Sequence, residues 1–364
     1  MPLIKDQSVT YTKAIGIMLM VMCHSMGSDV PLVYMFHMPL FFFFSGYCLK
    51  TEYFDRPRVF AWKRVKGVYW PYLKWSMVFL LLHNVFFSLN IYNGKYGFLG
   101  TASELYVVSD MTARLWNIVT QMQDHEQLLG GYWFMRALFF GSLVAFAVLW
   151  AANAVCRKRN VRYTHGLFIG GGALLMLFLV LNYMTGHHIP YWGHDYLCSQ
   201  VLLAAVFFII GHGFRMLQVR RMSGWQMAAA WVVVIIGSFV WKMGMNELSY
   251  SSFRVLPYIV TAVLGTWAVY SLPWHRLQGR WASALQFVGN NTLTILTWHF
   301  LTFKLVSLLI INMYGLPVAR LAEFPVITDY AVQGWWLAYF LVAMAVTCAI
   351  ANCNRWIRSP WLKL

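Results

Sequence analysis

The chain has 364 residues, 60% of them hydrophobic and only 11% charged, with 28 Lys and Arg set against 12 Asp and Glu. Soluble domains carry roughly 25% charged residues, and here the apolar residues arrive in carboxylate-free runs of about 18–25, the length that crosses hydrocarbon. A water-soluble domain is excluded, and the formal net charge of +16 reads as cytoplasmic loop cations rather than as a nucleic-acid surface.

In chain order, spans are predicted at 10–29, 31–50, 68–89, 132–154, 165–184, 196–217, 226–244, 254–272, 285–311 and 331–352. The fold class is all-α: a polytopic transmembrane helical bundle of about ten spans, read as a single domain over 1–364, with N- and C-termini cytoplasmic. Every second connection is then cytoplasmic. Nineteen Lys and Arg fall inside, and five fall outside: Lys95, Arg114, Lys242, Arg254 and Arg320. That bias sets the orientation. The polar start Met1 to Thr12 is followed by no small-residue cleavage site, so the first run reads as a retained span. The long connection 90–131 is external. Its stretch from Leu105 to Met122 carries Asp110 and Arg114, is too polar to span, and is predicted as a short helix on the outer surface. The six cysteines lie in or near spans, with only Cys198 close to the external side, so no disulfide framework is expected.

All 12 carboxylates fall outside the predicted spans or at their ends, whereas proteins that move protons or cations usually keep an acid within the bilayer. Lys13, His24, His37, His299 and Lys304 enter it instead. Lys13 and His24 share one stripe of the first helix, about 16 Å apart along its axis. One reading has them line a cavity; the other has a lysine snorkelling to the interface and a histidine hydrogen-bonded within the bundle. Asp29, just past that helix, is near enough in sequence to orient His24. His37 enters the bilayer by roughly as many residues as His24 precedes the turn Gly27 to Val30, which places both imidazoles at similar depth. Pro39 is expected to free a carbonyl one turn back, and Ser45-Gly46 to permit close helix approach. His299 in the ninth span reaches the same outer half at ~1.5 Å per residue.

Five segments, in order across nearly the whole chain, resemble the integral-membrane acyltransferase-3 family. They are Lys13-Ala-Ile-Gly-Ile…His24-Ser25; Phe36-His37-Met-Pro39-Leu-Phe-Phe-Phe-Phe-Ser45-Gly46-Tyr47; Lys63-Arg64-Val-Lys66…Pro71-Tyr72; Tyr132-Trp133-Phe134…Leu138-Phe139; and Gly289-Asn290-Asn291-Thr292-Leu293…His299-Phe300. That family includes bacterial surface-polysaccharide O-acetyltransferases and fucose O-acetylase-like enzymes. A basic residue, ten intervening residues and a histidine characterise its first span. Lys13 and His24 occupy those positions, with Lys where polysaccharide-acylating members often have Arg. Thr10 stands where many relatives carry an acid. Without an appended esterase-like domain, the chain reads as the membrane core alone.

The resemblance implies transfer of an acyl group, acetyl in most of the family, from cytosolic acyl-CoA to a hydroxyl of a cell-surface or lipid-linked carbohydrate. It implies the plasma (inner) membrane as location, lipids as neighbours, no metal and no nucleic-acid partner. His24 would be the base or the acyl carrier, His37 and His299 would polarise the carbonyl or position the acceptor, and Lys13 would steer the donor. Lys63, Arg64, Lys66, Arg157, Arg159 and Arg215 suit the anionic end of CoA, although the positive-inside rule alone accounts for them. Trp133 and Arg136 at the outer mouth, with Ser45, are the substrate-binding candidates. A transporter or flippase of a lipid-linked sugar is the alternative, against which stand the missing intramembrane acids and internal repeats.

Overall fold

The computed structural model describes residues 6–27, 30–97, 102–184, 199–241, 244–245 and 252–357; Asp29, Cys198 and Lys242 lie outside them. Every regular element among the described residues is helical. Helix α1 (Gln7–Met26) begins where the Asp6 carboxylate accepts the Ser8 N–H at 3.0 Å, and it stops at Gly27, whose φ of 64° suits a residue without a side chain. Then come α2 (His37–Tyr47), α3 (Trp70–Leu81), α4 (Val108–Gln121), α5 (Trp133–Lys158), α6 (Tyr163–Met184), α7 (Ser199–Met216) and α8 (Gly224–Val240). The chain finishes with α9 (Ser252–Ser271), α10 (Gly279–Asn290), α11 (Thr292–Tyr314) and α12 (Trp336–Ile357).

Seven helical stretches among the described residues are long and apolar enough to cross a membrane: Gln7–Met26, Gln127–Lys158, Tyr163–Leu181, Ser199–Met216, Arg254–Arg276, Thr292–Tyr314 and Thr328–Cys353. They coincide with the first, fourth, fifth, sixth, eighth, ninth and tenth predicted spans. The other three take shorter forms with visible causes. The second is interrupted at Phe36, whose φ of −141° separates Pro31–Tyr34 from α2. The third is divided at Leu82, between α3 and His83–Ser88. The seventh is the apolar helix α8, 17 residues long. Pro39 is the third residue of α2. In a first turn the missing N–H removes no intrahelical bond, so the carbonyl expected to be freed lies ahead of the helix rather than within it. The 90–131 connection does hold a helix, α4, whose first turn is capped by the Asp110 carboxylate accepting the Val107 N–H at 3.1 Å.

The chain forms two compact units. One comprises Met1–Val30, Tyr72–Trp133 and Leu277–Leu364; the other comprises Pro31–Pro71 and Phe134–Arg276. Within the first, α1 packs against α10, α11 and α12, and α11 lies along α12. The Ser307 and Tyr339 hydroxyls meet at 2.9 Å between those last two.

Within the second unit the closest pairing is α2 on α7. A methyl group built on Gly46 would stand 1.8 Å from the Phe208 carbonyl oxygen, and one on Gly211 would stand 1.9 Å from that of Phe43. The two backbones touch reciprocally, so Ser45-Gly46 does permit close helix approach. Neither obstacle is a flexible side chain that can swing aside. Gly46→Ala or Gly211→Ala is therefore expected to force the helices apart at a cost of at least about 1–3 kcal/mol, the usual cost of overpacking. Thermal unfolding of the purified variants checks this: the midpoint should drop by several degrees, and an unchanged midpoint would show that the pair can separate freely.

Candidate active site

His24 lies near the end of α1 and His299 in the first half of α11, and packing of these two helices brings the imidazoles together. Nδ1 of His24 is 3.0 Å from Nε2 of His299. The ring planes are 14° apart and their centroids 5.2 Å apart, so the rings meet edge to edge, nearly in one plane, as a hydrogen bond along a nitrogen lone pair requires. His299 is fully buried. Its other nitrogen, Nδ1, faces the backbone carbonyls of Leu296 at 2.9 Å and Ile295 at 3.2 Å.

Those contacts fix the protons. A carbonyl accepts only, so Nδ1 of His299 carries the hydrogen and Nε2 of the neutral ring is an acceptor. The hydrogen between the two rings then belongs to Nδ1 of His24. In a neutral His24 ring Nε2 is then the acceptor nitrogen. This is the arrangement of a general base or nucleophile whose tautomer and orientation are set by a second residue. The ring of Phe300 packs on His24 at 4.8 Å and on His299 at 3.9 Å, which restricts rotation of both.

The turn Gln127–Tyr132 packs on α11 at the His299 side of the pair. The Tyr132 hydroxyl donates to Thr297 Oγ1 at 2.8 Å, and Thr297 in turn donates to the Leu293 carbonyl. Gly131 comes so close that an added methyl would stand 2.8 Å from a Leu296 methyl and 4.0 Å from Cε1 of His299. The turn is anchored one residue upstream. His83 and Glu126 are buried, with Nδ1 of His83 2.8 Å from a Glu126 carboxylate oxygen and Nε2 2.8 Å from the Glu104 carbonyl. Nε2 therefore donates to that carbonyl, and Nδ1 and the carboxylate share one proton. Burial pushes the Glu126 carboxyl up, and the bond to His83 opposes it. Tyr106 stacks on the His83 ring at 3.3 Å, with the Arg114 guanidinium 4.5 Å from the centre of the Tyr106 ring.

The remaining candidates divide between the units. Lys13 is half-buried on α1, which runs unbroken from it to His24. In the second unit His37 is buried and donates from Nδ1 to the Val33 carbonyl at 2.8 Å, with Tyr34 packed edge-on. Among the cations, Lys63 donates to the Tyr53 hydroxyl at 2.6 Å, Arg64 lies over Phe60 and Phe208, and Lys66 lies over Trp62. Arg157 is paired with Asp55 at 2.6 Å and holds that carboxyl below its ordinary range. Arg215 donates to the Tyr47 carbonyl at 3.1 Å, and Arg159 is exposed beside His165. Ser45 and Trp133 are half-buried, whereas Arg136 is buried. Lys304, also buried, donates to the Glu323 carbonyl at 2.6 Å. Among the described residues no group of three or more His, Cys, Asp or Glu is placed to hold a metal ion.

Sequence reasoning passed over the His83–Glu126 pair and the turn packed on α11. His83 sat in a predicted span and Glu126 in a predicted external loop, and nothing in their spacing joined them. Tyr132 and Phe300 were present in the quoted motifs without a role.

Span-length apolar helices with a hydrogen-bonded histidine pair between two of them describe a helical membrane protein. The chain matches the family described as "Acyltransferase domain" over residues 6–353, and it belongs to that family, acyltransferase-3. Neither a curated protein nor a solved structure matches the chain.

Proposed function

We propose that this acyltransferase moves an acyl group, acetyl first among the candidates, from cytosolic acyl-CoA to a hydroxyl of a cell-surface or lipid-linked carbohydrate. The proposal includes a bundle of about ten spans in the plasma (inner) membrane, with both termini cytoplasmic and the dyad in the outer half. The observation that supports it is the hydrogen bond between His24 and His299, with Nδ1 of His299 held by backbone carbonyls; on this reading Nε2 of His24 is the basic atom.

Both routes use that atom. In direct transfer the acceptor hydroxyl gives its proton to Nε2 as its oxygen bonds to the thioester carbon. The carbon–sulfur bond then breaks, and the thiolate leaves with the proton from Nε2. In the stepwise route Nε2 itself bonds to the carbonyl carbon and the CoA thiolate departs, taking a proton from solvent; the acceptor oxygen later displaces the imidazole, and the hydroxyl proton passes to the released Nε2 and on to solvent. In either case His299 accepts the hydrogen bond of a His24 ring that has gained positive charge, and burial of His299 strengthens that bond. Lys13 lies about 16 Å back along the same helix, a length an extended pantetheine arm covers, and it steers the donor. Lys63, Arg64, Lys66, Arg157, Arg159 and Arg215 bind the phosphates, with Arg157 giving up its hold on Asp55. His37 assists at the carbonyl or acceptor. Ser45, Trp133 and Arg136 contribute to acceptor binding.

Labelled acetyl-CoA tests the reading. Purified wild-type protein is expected to release labelled acetate slowly or to become labelled itself, the second outcome selecting the stepwise route. Reversing charge at Lys63, Arg64 and Lys66 together should raise KM for acetyl-CoA by about tenfold or more, as loss of several charge-assisted contacts requires. An unchanged KM would assign those three residues to topology alone.

A further inference from the structure

A second concavity lies at the end of α1 that bears His24. It holds about 280 Å³ and is lined by Tyr96, Glu323, Phe324, Val326 and Thr328. Two contacts tie it to the dyad. Gly27, three residues after His24, packs against Val326 and Thr328. Phe324 packs on Phe300 with the rings tilted, centroids 4.6 Å apart, and Phe300 stacks on His24 at 4.8 Å. The cleft therefore begins two aromatic rings from the reactive imidazole, at the opposite end of α1 from Lys13.

Its walls are held in place before any ligand arrives. Asn93 accepts the Lys95 and Tyr96 N–H groups at 3.0 and 2.9 Å and donates to the Ala319 carbonyl at 2.8 Å, which fixes Tyr96 against the opposite wall. Arg320 bridges the Glu323 and Asp329 carboxylates, and Lys304 holds the Glu323 carbonyl from beneath. A preformed cleft of this kind spends little binding energy on ordering.

The lining selects a ligand class. Tyr96 and Phe324 offer aromatic surface, which suits the C–H face of a pyranose ring. Glu323 and Thr328 offer hydroxyl partners at the rim. No Lys or Arg is among the lining residues, and Arg320 behind Glu323 is engaged by two carboxylates, so the lining itself presents no cation to an anionic headgroup. The volume is at the small end for ligand sites, enough for one sugar ring. We propose that this cleft is an acceptor subsite, binding a single neutral hexose ring beside the His24–His299 dyad. The proposal rests on the acyl-transfer reading above.

The test uses the full chain in lipid nanodiscs, labelled acetyl-CoA as donor and a panel of short alkyl β-hexosides as acceptors. Wild-type protein should acylate at least one hexoside. Tyr96→Ala and Thr328→Val should each raise KM for that hexoside about tenfold, the scale of losing an aromatic platform or a hydroxyl partner, with kcat and acceptor-free acetyl-CoA hydrolysis unchanged. Rescue of the first variant by Tyr96→Phe supports ring stacking. Wild-type protein that hydrolyses acetyl-CoA yet acylates no hexoside overturns the subsite alone, as do variants whose KM stays within about twofold of wild type. Absence of any hydrolysis, labelling or transfer overturns the donor reading first, and the subsite with it.

Discussion

His24→Asn should lower acyl transfer by about 10²–10⁴-fold, the contribution of a positioned general base, and the loss should be complete if the acyl group is carried on the ring. Asparagine is the informative replacement. Its amide nitrogen stands where Nδ1 of His24 stands and can still donate to His299, so the helix contact survives while the basic nitrogen disappears. Steady-state transfer with labelled acetyl-CoA gives the rate, and thermal unfolding of the same preparation shows whether the bundle is intact. A folded His24→Asn protein with wild-type turnover would remove His24 from the chemistry.

His83→Ala should strongly destabilise the first unit. It removes the largest of the interactions that offset desolvation of the buried Glu126 carboxyl, leaving the weaker ones with Arg114 and Tyr92, and breaking a buried pair costs up to about 3–5 kcal/mol. The thermal midpoint of purified protein reads the effect directly. Glu126→Gln separates charge from packing: its amide can donate to Nδ1 of His83 while Nε2 continues to donate to the Glu104 carbonyl. That variant should lose far less. Equal losses for the two would mean that shape, rather than the shared proton, holds this pair together. Because Glu126 directly precedes the turn over His299, His83→Ala should also depress turnover below the melting range.

The parts of this protein visible in its sequence are those written in one local run. Continuous apolar stretches marked seven span-length helices, because a helix satisfies its own backbone and needs only length and hydropathy to be recognised. Phe36 and Leu82 interrupt the second and third spans inside runs that hydropathy treats as uniform, so those breaks were hidden. His24 and His299 could be named as candidates, each being a polar ring in an apolar helix. That they form one hydrogen-bonded unit depends on the packing of α1 and α11, 275 residues apart in sequence, and no local pattern encodes it. The direction of that bond was hidden more deeply, since it depends on the carbonyls of Leu296 and Ile295 one turn before His299. His83 with Glu126, and Tyr96 with Phe324, are likewise products of tertiary folding between segments that look unrelated on the page.

The fixed tautomer of His299 gives the dyad a single berth for an extra proton. With its inner nitrogen committed to the backbone, His299 can take none while it still receives the bond from His24, so an added proton goes to the outer nitrogen of His24. In the proposed reaction that one atom is visited in turn by the incoming alcohol and the outgoing thiol. Both substrates would then approach the same edge of the same ring, and a molecule parked on that edge would shut out both at once.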